Sequence, residues 1–484
     1  MDFNTPLFLG FFAAAAVINY ALPCVLRPYF LLAASYAFYL YAPENAALVW
    51  ILITSTAVTW LVGLALGKTR SAPVRRVLVA ASFLCCGGFL FYFKYLGFFD
   101  DILAGLAAVF GGKMQVKSFS LVAPLGLSYF IFASLGYVVD VYRRKYPAEK
   151  NPFRYALFVS FFPCIFTGPI ERYDHMARQF CRPRRFSYNR CAGGAFRMLW
   201  GYFKKMVLAD NLSVFVSAVF SAPESSTGPQ LLLSILIFSI QLYMDFSGCC
   251  DIAIGGARIL GYDLLENFRS PFMAESFSDL WRRWHMSLTG WFRDYLYIPL
   301  GGSRCGKARH YLNLLIVFLV SGLWHGAAWG YVLWGLASGV ISIAESILHK
   351  LLPSEKASRS LPMVWLRRVR TYVLFSLSVT FFMTALYGVD WSYLAANLTL
   401  GWNTFFADPA AFAQTLSAFG LGGHKLVVLI CGTAAVLAAE TQGNVAEWIR
   451  KQSWSIRWPL YYALGCAVLF FGAFGQSVFI YQQY

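Results

Sequence analysis

Charge is what this sequence has least of. Asp, Glu, Lys and Arg make up only 13% of its 484 residues, against 58% hydrophobic. That balance excludes an intrinsically disordered chain and an ordinary secreted soluble domain, and it points to many membrane spans. A chain of this length in water would divide into roughly two or three domains, yet no stretch is polar enough to be one. Acidic residues are the scarcer sign, 23 against 40 Lys and Arg, for a net charge of +17. The excess does not imply nucleic acid as a partner. The basic residues sit mostly in short loops between apolar runs, where the bias of cytoplasmic loops accounts for them, and no nucleic-acid-reading motif accompanies them. Metal-ligand spacing is missing too. The 11 cysteines are scattered, none in a CxxC pair, and read as small core hydrophobes with no metal implied. No Lys or Arg precedes Arg27, so the start lacks the positive region of a signal peptide. It is expected to be a retained first span with its N-terminus outside the cytoplasm, which puts the basic loop Lys68–Arg76 inside. An internal repeat is also absent, which counts against a transporter made of duplicated halves.

Apolar runs fill most of the remainder. They cover Leu7–Leu22, Tyr29–Tyr41, Ala46–Leu66, Val77–Phe99, Leu121–Val141 and Phe153–Ile165. They continue through Met206–Phe220, Leu231–Phe246, Leu312–Ile341, Tyr372–Leu386, Leu426–Ala439 and Leu460–Ile480. Several fall short of the about 17 residues a simple span needs. Those are expected to be tilted, broken or re-entrant, covered by protein or a water-filled cavity. The reading is an all-α polytopic membrane protein with about 11 transmembrane helices, plus re-entrant and amphipathic helices, in one domain over residues 1–484.

Leu312–Ile341 stands out among these runs. It carries no Lys, Arg, Asp or Glu, exceeds the about 20 residues that cross a bilayer core, and holds one ionisable group, His325, among Gly322, Gly326 and Gly330. In water such a histidine is usually a satisfied core residue. Within a membrane an ionisable side chain is costly and marks function by default. The second informative stretch is Ser276–Leu300, SFSDLWRRWHMSLTGWFRDYLYIPL. Ser278 and Asp279 suit a helix start. Trp281, Trp284, His285, Leu288, Trp291, Phe292 and Tyr295 fall on one face of a single helix, which is too charged to cross lipid and belongs at the interface or dipping into the body. A surface anchor would explain the tryptophans, but it has no need of His285 on the aromatic face.

Two such histidines suit acyl transfer. An alcohol attacks a thioester slowly unless a base takes its proton, and an imidazole does this near neutral pH. A second polar group orients the acceptor or stabilises charge on the carbonyl oxygen. His325 is the candidate base and His285 its partner. Trp284, Ser287, Trp324, Asp245 and Arg293 are candidates to line the substrate path. Asp245 and Asp251 flank Cys249–Cys250, where a helix-end or Arg-paired structural role is the competing reading.

WRRWHMSLTGWFRDYLYIPLGGSR followed by GLWHGAAWGYVLWG resembles the membrane-bound O-acyltransferase (MBOAT) family, in particular its bacterial alginate and peptidoglycan O-acetyltransferase branch. Further matches are Pro124–Arg143, Phe162–Tyr173 and Gln241–Gly255. The resemblance implies that His325 takes the catalytic position and His285 the second active-site position. It also implies a funnel or tunnel joining a cytoplasmic thioester to an acceptor outside. The D-alanyl-transferring relatives share the WRRWHMSL-type stretch, while Tyr297–Arg304 is more similar to the acetyl-transferring branch. The expected donor is therefore acetyl-CoA as a substrate, with no permanently bound cofactor. The expected acceptor is an extracytoplasmic glycan reached through an SGNH-hydrolase-like partner, from a bacterial inner membrane. Phe479–Tyr484 resembles a C-terminal pattern whose tyrosine, here Tyr481, is an acyl-relay candidate. The chain departs from the family at Ala328, where many relatives have Asn, and at Cys249–Cys250, where a turn often carries Tyr-Ser. Arg282, Arg283 and Arg304 suit CoA phosphates, and the basic bias of cytoplasmic loops explains them equally well. A transporter or polymer-export channel is the rival from another class.

Overall fold

The computed structural model describes residues 3–111, 123–182, 184–221, 226–351, 360–418, 420–443 and 445–474. Tyr481 lies outside them. A backbone in lipid has to satisfy its own N–H and C=O groups, which leaves helices or closed barrels. Every regular element among the described residues is helical. Among the described residues six helices are long and apolar enough to cross a membrane: Asn45–Lys68, Ala72–Val109, Gly228–Leu260, Trp329–Leu351, Leu361–Tyr387 and Gly423–Glu440. Pro6–Ala21 and Leu127–Tyr142 are shorter apolar helices. The protein is a multi-pass membrane protein. Six is below the expected eleven because several apolar runs fold as short or interrupted helices. Phe153–Ile165, for example, forms only Pro152–Ser160 before buried turns take over.

One end of the helical body gathers basic loops and ties them together. Arg75 donates to the Tyr142 carbonyl at 2.6 Å, and Arg143 to that of Asp294 at 2.9 Å. Arg172 pairs with Asp294, while Arg184 and Arg190 share Asp263.

The Gly228–Leu260 helix is the body's most enclosed span. It runs against Tyr188–Tyr202 on facing glycines. A Cβ on Gly201 would lie 2.6 Å from the Gly248 carbonyl oxygen, and one on Gly255 would lie 2.6 Å from that of Gly194. Only hydrogen allows such an approach, the small-residue packing that membrane helices use in place of a hydrophobic drive. The apolar run Leu231–Phe246 therefore marks only part of this helix. Cys249–Cys250, expected in a turn, sit in its interior, with no proline or left-handed residue there to stop it.

Beyond Tyr202 the neighbouring helix widens into a π turn, Phe203–Ala209, which presents two consecutive buried lysines. Lys205 pairs with Asp210 and Asp245, each at 2.7 Å. Lys204 pairs with Asp251 at 2.7 Å and Glu440 at 3.0 Å. Arg197 joins Asp251 to Glu266. Both candidate carboxylates of the long helix are thus committed to ion pairs. Replacing Lys205 with Met leaves Asp210 and Asp245 without their ammonium, and breaking a buried pair in this way costs on the order of 3–5 kcal/mol. Lys205→Met is expected to lower the unfolding temperature in detergent clearly, and adding Asp245→Asn should recover part of the loss.

Candidate active site

The run Leu312–Ile341 is a hairpin, which corrects its reading as one span. Lys307–His325 ends at the histidine, and Trp329–Leu351 returns alongside it. Small residues let the arms close. Any Cβ on Gly322 would meet the Tyr331 carbonyl, and one on Gly335 that of Phe318. Gly326 has extended backbone, φ −172°, which any residue can adopt; what it has to be is small, because the Tyr331 ring lies against it. The departing Ala328 sits at the tip, its carbonyl accepting from Tyr331 N–H at 3.1 Å. A helix ending inside an apolar body exposes its last carbonyls. Lys94 Nζ donates to the Trp324 carbonyl at 2.6 Å, and Tyr95 Oη to that of Leu323 at 2.8 Å.

The second stretch breaks as well. Ser276, not Ser278, caps Phe277–Arg283, accepting from Asp279 N–H at 3.0 Å. The helix stops before Trp284, and Met286–Phe292 begins after His285. His285 is left-handed, φ 44°, a conformation uncommon outside glycine, though less so for His and Asn, and one that concentrates at functional sites. The aromatic positions therefore do not share one helical face. Trp281 packs on Phe318 and Trp334, whereas Trp291 stacks on Phe132. Asn267 secures the break from outside it. Its backbone carbonyl accepts from Met286 N–H at 2.9 Å. Its side-chain Oδ1 lies 2.8 Å from Ser287 Oγ, 3.1 Å from Ser287 N and 3.2 Å from His285 Nδ1.

The two breaks meet across Trp324. Its ring centre is 5.9 Å from that of His285 and 4.8 Å from that of His325. Trp334 and Phe382 pack on His325 at 5.0 and 5.5 Å, and Phe246 packs on His285 at 4.7 Å. Both imidazoles line one cavity of about 70 Å³ with Trp284, Thr289, Ser321 and Trp334. His325 and Trp324 also line a second cavity, of about 60 Å³, with Lys94, Ser128, Tyr129 and Phe166. His325 is where the two adjoin. An imidazole there can exchange a proton with groups arriving from either cavity.

The structure therefore brings His325, His285, Trp284 and Trp324 together and leaves other sequence candidates elsewhere. Ser287 is buried and holds Asn267 and the Ile170 N–H. Asp245 belongs to the Lys205 pair. Arg293 opens a π turn, 65% exposed and paired with Asp294, and lines neither cavity. Lys94 was missed, though an isolated lysine in an apolar run was a usable signal. Asn267 was missed too, and nothing in its local pattern marks it.

Two buried imidazoles at helix breaks inside an apolar helical body are a candidate enzyme centre in a membrane protein. A sequence model of the MBOAT, membrane-bound O-acyltransferase family, matches residues 115–387. Similar proteins include the "Probable alginate O-acetylase AlgI" of Azotobacter vinelandii, 35% identical over 82% of this chain and 76% of that protein. The protein of the same description from Pseudomonas putida is 32% identical over 95% of this chain and 94% of its own length. The "Peptidoglycan O-acetyltransferase" of Helicobacter pylori is 30% identical over 100% of this chain and 97% of its own length. The chain belongs to the membrane-bound O-acyltransferase family, and it is an O-acyltransferase.

Packing at the hairpin tip can be tested directly. Gly326→Val forces side-chain carbon into the Tyr331 ring, and overpacking of this kind costs about 1–3 kcal/mol. Thermal unfolding in detergent is expected to move down, and Gly326→Val with Tyr331→Ala should recover part of that shift.

Proposed function

We propose that the protein is a membrane O-acetyltransferase that takes acetyl from acetyl-CoA on the cytoplasmic side and delivers it to an extracytoplasmic glycan. The observation that carries this reading is the position of His325 between two cavities. One runs beside Val317, Phe318 and Ser321 on the Lys307–His325 helix, in the direction of that helix's basic start. The other is walled by residues 123–129 at the start of the Leu127–Tyr142 helix, whose far end, Tyr142, is tied into the basic loops. Basic loops face the cytoplasm, so the first cavity is the donor side and the second the acceptor side of a tunnel through the body. On this reading the short and interrupted helices complete about 11 crossings in a bacterial inner membrane.

The chemistry follows from those positions. A hydroxyl entering from the acceptor side meets His325, which takes its proton as the oxygen attacks the thioester carbonyl. The carbon–sulfur bond then breaks, and the proton is passed to the departing thiolate. His285, in the donor-side cavity, serves as the polar partner. Lys94 supplies positive charge beside the acceptor-side cavity, where negative charge on oxygen develops. The resemblance of Tyr297–Arg304 to the acetyl-transferring branch favours acetyl over D-alanyl. The descriptions of the relatives, as alginate O-acetylase and peptidoglycan O-acetyltransferase, favour a glycan acceptor. An SGNH-hydrolase-like partner would complete delivery, with Tyr481 as the candidate relay.

Purified protein in liposomes, supplied with labelled acetyl-CoA, the SGNH-hydrolase-like partner and glycan oligosaccharides, should release CoA and acetylate the glycan. His325→Ala should lower that turnover by about 10²–10⁴-fold, and unchanged turnover would remove the histidine from the mechanism. Use of a D-alanyl carrier thioester in place of acetyl-CoA would reassign the donor. Filling each cavity separates the two sides. Ser321→Trp should block acetyl-CoA hydrolysis and transfer alike, whereas Ser128→Trp should block transfer while leaving slow thioester hydrolysis.

A further inference from the structure

We propose that Asn267 is a positioning residue that fixes the proton of His285. It holds the neutral ring with hydrogen on Nδ1, so that Nε2 presents only a lone pair to the cavity it shares with His325. The inference rests on the reading of His285 as an active-site group, and it decides between the two roles that reading leaves open.

The argument is one of donors and acceptors. A backbone N–H can only donate, and that of Ser287 lies 3.1 Å from one side-chain atom of Asn267. That atom is therefore the amide oxygen, and the Asn267 amide has only one orientation. Its nitrogen then faces Cys250 Sγ at 3.3 Å, a weak acceptor. The same oxygen lies 3.2 Å from His285 Nδ1. An amide oxygen has no hydrogen to give, so Nδ1 is the donor. A neutral imidazole carries one hydrogen, which leaves Nε2 with a bare lone pair. Nε2 is buried and bonded to no side chain or backbone group among the described residues, and the ring lines the cavity it shares with His325.

Asn267 is fully buried and is anchored at three points. Its backbone carbonyl takes Met286 N–H, its amide oxygen takes Ser287 and His285, and its amide nitrogen reaches the long Gly228–Leu260 helix at Cys250. The amide therefore cannot rotate to offer nitrogen to the imidazole without leaving Ser287 N–H unpaired, which costs about 1–3 kcal/mol. A ring held this way orients the acceptor only by accepting a hydrogen other than that of the attacking hydroxyl, which His325 takes. While neutral, it has nothing to donate to a thioester carbonyl, so stabilisation of that oxygen falls to other groups.

The test is nitrogen NMR of the full-length protein labelled with ¹⁵N-histidine, with the His285 signals identified by their loss in His285→Gln. The expected wild-type spectrum has hydrogen on Nδ1 and a bare Nε2 at His285; hydrogen on Nε2 would overturn the proposal without recourse to any variant. Asn267→Leu should shift His285 toward the other tautomer and lower kcat for acetyl transfer at least about tenfold, since a wrong histidine tautomer costs up to about 10⁴-fold. The KM for acetyl-CoA should stay within about twofold, because the ground-state contacts of the donor are untouched. Asn267→Asp, whose carboxylate also accepts, should keep the wild-type tautomer and most of the turnover. An Asn267→Leu protein with both tautomer and kcat unchanged, or an Asn267→Asp protein with the hydrogen moved to Nε2, would refute the assignment. Full activity in His285→Gln would instead remove His285 from the site, a different failure from that of the tautomer.

Discussion

A helix that stops inside an apolar body leaves carbonyls and N–H groups that neither lipid nor water can satisfy. Two of the buried places where helices stop carry the candidate chemistry. The Lys307–His325 helix ends with its last carbonyls held by Lys94 and Tyr95, brought from a distant helix. The break at His285 is held by Asn267 through backbone and side chain together. Without those partners the breaks would cost several kcal/mol per unsatisfied group. With them, one imidazole sits on the last residue of a helix and the other between two helices, and both face a cavity.

The surrounding body supplies rigidity from two kinds of contact. Glycines at 194 and 201 meet those at 255 and 248, so two helices approach at backbone distance. Next to them, Lys204 and Lys205 bind carboxylates from three parts of the chain. Buried ion pairs add little net stability against a well-packed apolar alternative, but each fixes a register. Here they set the long helix Gly228–Leu260 against its neighbours. That helix carries Cys250 to Asn267 and Phe246 to His285, so the register of the ion pairs reaches the candidate site.

Some of the site was plain in the residues. An isolated histidine in a run without charge, and a second among tryptophans, were visible because membrane composition makes ionisable groups rare. The pattern from Trp281 to Tyr295 was real but described the wrong object. Its aromatic residues are buried by different partners on either side of a left-handed residue, a conformation that no periodicity reveals. Cys249–Cys250 resembled a turn by comparison with relatives, yet the helix passes through them because facing glycines and paired carboxylates hold it. Arg293 belonged to the same motif as His285, and a widened turn carries it to the surface.

By itself the sequence determined the solvent, the helical class and the two imidazoles, since each follows from local composition: too little charge for water, and too few alternatives to helix in lipid. What only the tertiary structure decided is which groups meet. Lys94 reaches Trp324 across 230 residues, and Asn267 reaches His285 from a segment 18 residues away across a helix break. Such contacts depend on where helices end and how closely they approach. Those outcomes follow from packing summed over the whole body, which no single stretch of chain encodes.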